Sequence, residues 1–173
     1  MTEPEFSRPV RIDTLGGAPR SMTIQAEEGE KAALARRFDL IGIDALAATA
    51  ELVRDGDTIT VTGKLDASVI QACVASGQPV PGRIAEPFAL RFTPPADDAA
   101  PDAEIELEEA DLDVMSYEGG AIDLGEAVAQ TLALALDPFP RAQGADALLR
   151  EAGVIGEDEA GPFAALKALR SEL

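Results

Sequence analysis

The sequence predicts an α+β protein: an antiparallel β-sheet of about five or six strands around a central long hairpin, two packed helices and a C-terminal helical tail. Three observations carry that expectation. Residues 43–92 largely alternate apolar and polar side chains with the two-residue period of a half-buried strand. Glu27 to Phe38 and Asp123 to Leu136 follow helical spacing instead. The turns at Asp55-Gly56-Asp57 and Ser76-Gly77-Gln78-Pro79 are short, as turns between antiparallel neighbours are. Residues 1–140 read as one domain with an acidic loop at 93–113, and 141–173 as an extension with a short terminal helix.

Taken in order, Phe6 to Ile12 and Ser21 to Ala26 read as short strands joined by the Gly16-Gly17-Ala18-Pro19 turn. Glu27, Glu28 and Glu30 open a helix that runs to Phe38 or Leu40. Acids at its start and Arg36-Arg37 at its end suit the helix dipole, and both arginines read as solvated cations rather than RNA contacts. Ile43 to Arg54 is alanine-rich, but its place before Asp55-Gly56-Asp57 makes it a strand. Beyond that turn, Ile59, Val61, Leu65 and Val69 hold the odd positions against Thr58, Thr60, Thr62, Lys64 and Asp66 on the even ones. The phase then slips to Ile70, Ala72 and Val74, which predicts a bulge or a break in pairing near Ser68. The return strand lines up Val80, Ile84, Phe88, Leu90 and Phe92, with Arg83 and Arg91 on the opposite, wet face.

Thr93 to Ala103 has three prolines and three aspartates and little apolar area to offset ordering, so it reads as a mobile linker or loop. Glu104 to Asp113 continues acidic, with Ile105, Leu107, Leu112 and Val114 as residues that dock parts of it on the sheet. Leu112 to Tyr117 is a strand closed by Glu118-Gly119-Gly120. Asp123 caps the next helix with Glu126 as its capping-box partner, and Leu124, Val128, Thr131, Leu132, Ala135 and Leu136 form its apolar face. Asp137-Pro138 ends it, because a residue before proline avoids helical angles. Ala145 to Ala152 is a short helix ended by Gly153. Glu157 to Gly161 is a second acidic linker, also expected to be mobile, and Pro162 opens a last helix striped with Phe163, Leu166 and Leu169.

Composition narrows the function. At 46% hydrophobic and 27% charged, the chain has a globular balance. No apolar run approaches the ~20 residues of a membrane span. Met1 to Val10 lacks a signal-peptide pattern, so a cytoplasmic location is expected. One cysteine and no histidine rule out an internal disulfide and any Cys/His zinc centre, and no metal or cofactor is expected. Cys73 has no histidine to activate it and reads as a small core hydrophobe. The Gly16-Gly17 and Gly119-Gly120 pairs lack a phosphate-cradle spacing, and Asp102 to Asp113 lacks the glycine and final glutamate of an EF-hand. No nucleophile, base or metal set suggests an enzyme.

Charge is the remaining signal. The net charge is −18, and the block from Phe92 to Pro140 holds 13 acidic residues with no Lys or Arg. Such a surface repels nucleic acid and attracts basic partners. The candidate partner-binding residues are Glu104, Glu106, Glu108, Glu109, Asp111 and Asp113. Arg83 and Arg91 are candidates for one local phosphate contact.

Gln71-Ala72-Cys73-Val74-Ala75-Ser76-Gly77-Gln78-Pro79-Val80 resembles the cysteine-bearing turn of the YceD-type family of bacterial large-subunit ribosomal RNA accumulation proteins. Ile122-Asp123-Leu124-Gly125-Glu126, leading to Leu132–Leu136 and to Pro138 and Pro140, and the tail Pro162 to Leu169 agree in order. The resemblance implies a non-enzymatic factor for large-subunit RNA accumulation. Joined to the acidity, it makes a basic ribosomal protein or an assembly intermediate the expected partner, with direct RNA contact disfavoured by charge. It also implies a Cys-x-x-Cys at the turn and further Cys or His beyond the prolines. Here Ser76 stands at the second cysteine position, and Arg141, Gln143 and Asp146 offer neither. A generic acidic interaction module, and an enzyme or small-ligand carrier with a hidden site, are the alternative readings.

Overall fold

The computed structural model describes residues 4–95 and 113–153. Strand β1 (Pro9–Arg11) runs into one 3-10 turn, Ile12–Thr14, and then strand β2 (Arg20–Gln25), helix α1 (Glu28–Arg37) and strands β3 (Gly42–Asp55), β4 (Thr58–Ala72) and β5 (Pro79–Thr93). Strands β6 (Asp113–Ser116) and β7 (Ala121–Asp123) precede helix α2 (Leu124–Ala135) and the short helix α3 (Ala145–Glu151). The protein is α+β, with a mostly antiparallel five-stranded sheet in the order β2-β3-β4-β5-β6 and a separate β1-β7 pair. The chain divides into two compact units, Met1–Gln71 with Pro81–Asp137 and Ala72–Val80 with Pro138–Leu173.

Hairpin chemistry sets the centre of the sheet. Asp55 pairs with Thr58 across a two-residue loop whose Gly56 sits at φ +61°, a left-handed conformation that tight hairpins demand and glycine adopts without strain. The expected irregularity near Ser68 is present but lies on the partner strand. Ile43 pairs with Val69 and Ala45 with Ser68, so Asp44 is the extra residue. The β4 strand keeps its phase, burying Ile59, Val61, Leu65, Ala67 and Val69, while β3 switches from Ile43 to Leu46, Ala48, Ala50 and Leu52 across the bulge. The Lys31 ammonium, held by Glu28, donates to the bulged Asp44 carbonyl at 2.9 Å. The break in pairing thus falls at Ser68 and Val69, where the alternation places it, with the extra residue contributed by β3.

Helix α1 begins at a capping box. The Glu27 side chain accepts the Glu30 N–H, and the Glu30 carboxylate accepts the Glu27 N–H at 2.8 Å. Asp123 caps α2 by accepting the N–H groups of Gly125 and Glu126, and also accepts from the Arg8 N–H and the Ser7 hydroxyl. Here the expected capping box fails. Glu126 instead receives a bidentate Arg37 guanidinium at 2.7 and 2.8 Å, with Gln130 donating as well. Arg37 also binds Glu5 at 2.9 Å, so this exposed arginine clamps two glutamates where a free solvated cation is expected; Arg36 is exposed as well. The Arg37 guanidinium, then Gln130, holds the Glu126 carboxyl below its usual range against the opposing effect of burial. Arg8 does the same for Glu30.

Two further expectations need correcting. The strand Pro9–Arg11 pairs with β7 (Val10 with Ile122), not with β2, because Asp123 anchors Ser7 and Arg8 beside the start of α2 and the 3-10 turn breaks the strand before β2. Strand β6 runs parallel to β5, Leu90 pairing with Asp113 and Thr93 with Ser116. A parallel return needs a crossover of a dozen or more residues, and residues 94–112 supply that length. Met115 packs on the core while Val114, expected to dock, is 60% exposed.

One core joins the sheet to α1 and α2. Phe6, Leu34, Leu46, Leu52, Leu65, Ile122, Leu124 and Leu132 are buried in it. The remainder of the predicted linkers, and the terminal helix from Pro162, lie outside the described residues.

Candidate interaction surface

Of the six acidic candidates, Asp113 alone falls within the described residues, where it opens β6 and is exposed. Glu104, Glu106, Glu108, Glu109 and Asp111 belong to the connection that leaves the sheet at Thr93 and re-enters at Asp113, beside Leu90 on the same strand. Both ends of the acidic segment are therefore tethered to one sheet edge. Not every acid of the block is available to a partner, since Asp123 is spent as a cap and Glu126 on Arg37.

Arg83 and Arg91 both lie on β5, the first exposed and the second half-buried, away from the face that buries Phe88, Leu90 and Phe92. Eight residues separate them, roughly 26 Å at the rise of a strand, so no single phosphate reaches both. The structure does not assemble them into one site.

A cleft that sequence reasoning missed lies in the first unit. Its volume is about 580 Å³, and Arg11, Asp13, Arg54, Asp57 and Tyr117 are among its lining residues. Two arginines and two aspartates leave it formally neutral. Arg54 donates to the carbonyls of Gly56 at 2.7 Å and Ile12 at 3.2 Å, Tyr117 donates to the Asp57 carbonyl at 2.7 Å, and Arg11 pairs with Asp13. These bonds brace the β3–β4 turn against the 3-10 turn and the approach to β7. The arginine and tyrosine donors are engaged with the fold, and no nucleophile–base pair lines the cleft. Among the described residues no cluster of three carboxylate or thiolate side chains is placed to hold a metal.

The second unit holds Cys73 in the turn between β4 and β5. The Gly77 N–H donates to the Cys73 carbonyl, the Cys73 N–H to Gln78, and the Val74 N–H to the Pro140 carbonyl, with Gly77 at φ +69°. Cys73 is 3% exposed yet stands outside the main core cluster. The Ala142 N–H, then the Ser76 hydroxyl, then the N–H groups of Ala75 and Ser76 donate to the sulfur and outweigh its desolvation, lowering the thiol to about 7. Ser76, the position of the absent second cysteine, is thus one of the groups that lower the thiol.

Because Cys73 is the sole cysteine, thiolate absorbance reads this site without interference. The expected midpoint is about 7, with loss of the signal in Cys73→Ser. A midpoint at the ordinary thiol value of ~8.5 would contradict the donor geometry.

A family model described as large ribosomal RNA subunit accumulation protein YceD matches residues 61–170. The match begins inside β4 and takes in the cysteine turn, β5, the acidic connection and α2. Comparisons with curated proteins and with solved structures return no match.

Proposed function

Since the chain belongs to the YceD family of large ribosomal RNA subunit accumulation proteins, we propose that it supports large-subunit RNA accumulation by binding rather than by catalysis, through a basic ribosomal protein. The family match over residues 61–170 is the observation that carries this reading. Charge directs it towards a protein contact: the 13 acids between Phe92 and Pro140 face no Lys or Arg of their own block. RNA phosphates are repelled by such a field, and Arg83 and Arg91 stand too far apart on β5 to reverse it. The bracing role of the Arg54 and Tyr117 bonds favours binding over chemistry in the cleft.

The test is a salt titration against purified large-subunit proteins. Replacing Glu104, Glu106, Glu108, Glu109, Asp111 and Asp113 by Gln or Asn is expected to weaken association and flatten its salt dependence. The basis is that the screening length falls from ~10 Å at ~0.1 M to ~3 Å at ~1 M salt. Equal affinity and equal salt slope for the two proteins would contradict the acidic contact, and tight binding to bare ribosomal RNA would reverse it.

A further inference from the structure

The outer edge of β5 is covered by β6 only from Leu90 to Thr93; along Pro79–Ala89 no described strand pairs with it. Beside this edge, in the first unit, runs a groove of about 430 Å³ lined by residues that include Glu86, Phe88, Leu90, Asp113, Thr131 and Leu134. Leu134 is 81% exposed on a helix whose inner face is wholly buried, and Val114, next to Asp113, is 60% exposed. Isolated exposed leucines are ordinary, but this one lines an open groove whose walls are part apolar and part polar. The rim is acidic: Glu86 and Asp113 line the groove, and no cation does among its described lining.

We infer that this groove is the docking site for a short segment of a basic partner protein, one apolar side chain seated between Phe88 and Leu134 and flanking Lys or Arg side chains directed at Glu86 and Asp113. This deepens the function proposed above and rests on it for the identity of the partner. Charge complementarity selects the occupant. The net charge of −18 works against a second copy of this chain as the occupant, and the apolar side chains of the groove offer nothing to a nucleic acid backbone. The docking is led by side chains, not by strand addition. Pro79, Pro81 and Pro87 lack the N–H groups that an added strand would use, and edge prolines protect against such pairing. An apolar centre ringed by polar side chains is the usual layout of a protein contact.

The experiment uses the full chain and two fluorescein-labelled synthetic peptides of equal charge, one alternating Lys and Leu, the other Lys and Ser. The Lys/Leu peptide is expected to bind about tenfold more tightly, the scale of one well-seated anchor. Leu134→Gln should remove that tenfold advantage and leave Lys/Ser binding unchanged. Glu86→Gln with Asp113→Asn should weaken both peptides and flatten their salt dependence. Leu134 is exposed, so an unchanged circular dichroism melt separates lost docking from lost folding. Equal binding of the two peptides, or full Lys/Leu affinity in Leu134→Gln, would overturn the inference. So would a change in the Leu134 methyl resonance of the peptide-free protein on replacing Ile105 and Leu107 by Ser, because the chain's own connection would then be the occupant. Unchanged large-subunit RNA in depleted cells would remove the assembly reading alone, since the peptide titration does not depend on it.

Discussion

Gly125→Ala is expected to destabilise the protein by about 3 kcal/mol, at the upper end of what overpacking a well-filled site costs. A methyl group at this position, in the first turn of α2, meets the Phe6 carbonyl oxygen and carbon and the Arg8 nitrogen. All three are backbone atoms, and their segment is fixed: the Arg8 N–H is held by the Asp123 carboxylate, the Leu124 N–H by the Arg8 carbonyl, and Phe6 is wholly buried. The methyl group cannot be accommodated by a side-chain rotation. It separates the N-terminal segment from α2 or it displaces the helix. The melting temperature should fall by about 6–12 °C, at ~2–4 °C per kcal/mol for a chain of this size. Gly29→Ala is the control, because a methyl there meets nothing within 4 Å. It lies in α1 and should raise stability by about 0.5 kcal/mol through the lower backbone entropy of the unfolded chain. Thermal melts of the two variants check both signs. An unchanged melt for Gly125→Ala would mean that the N-terminal segment does not pack where it is placed.

The parts of this fold that were legible in the sequence are those set by local chemistry. Alternation located β3, β4 and β5, and the Asp55-Gly56-Asp57 turn was enough to make a strand of the alanine-rich 43–54 segment. Acids at one end of α1 and arginines at the other, and Asp123 ahead of α2, marked both helices. What escaped was set by partners distant in sequence. Asp123 draws Ser7 and Arg8 to α2, and this moves β1 from the expected hairpin to β7. Arg37 finds Glu126, 89 positions away in sequence, which takes that glutamate from its expected capping role and gives the exposed arginine an ionic partner. The direction of β6 depends on a connection whose length permits either sense, and local pattern has no hold on it.

The candidate site was legible only as charge. Spacing along β5 already implied that Arg83 and Arg91 could not act together, since eight residues of extended chain hold them apart. The groove left one trace: Leu134 is an aliphatic residue that does not belong to the apolar face of α2 formed by Leu124, Val128 and Leu132. Cys73 looked like a core hydrophobe because nothing near it in sequence is basic. Its donors are backbone N–H groups and the Ser76 hydroxyl, brought round by the turn and by Ala142.

The central claim, that the protein is needed for large-subunit RNA to accumulate, is tested most directly by depleting it and quantifying both ribosomal RNAs in the same cells. The expected result is a several-fold fall of large-subunit RNA relative to small-subunit RNA. The intact chain should restore the ratio, and the chain with Glu104, Glu106, Glu108, Glu109, Asp111 and Asp113 neutralised should restore it incompletely. An unchanged ratio after depletion, with the protein verifiably absent, would contradict the account.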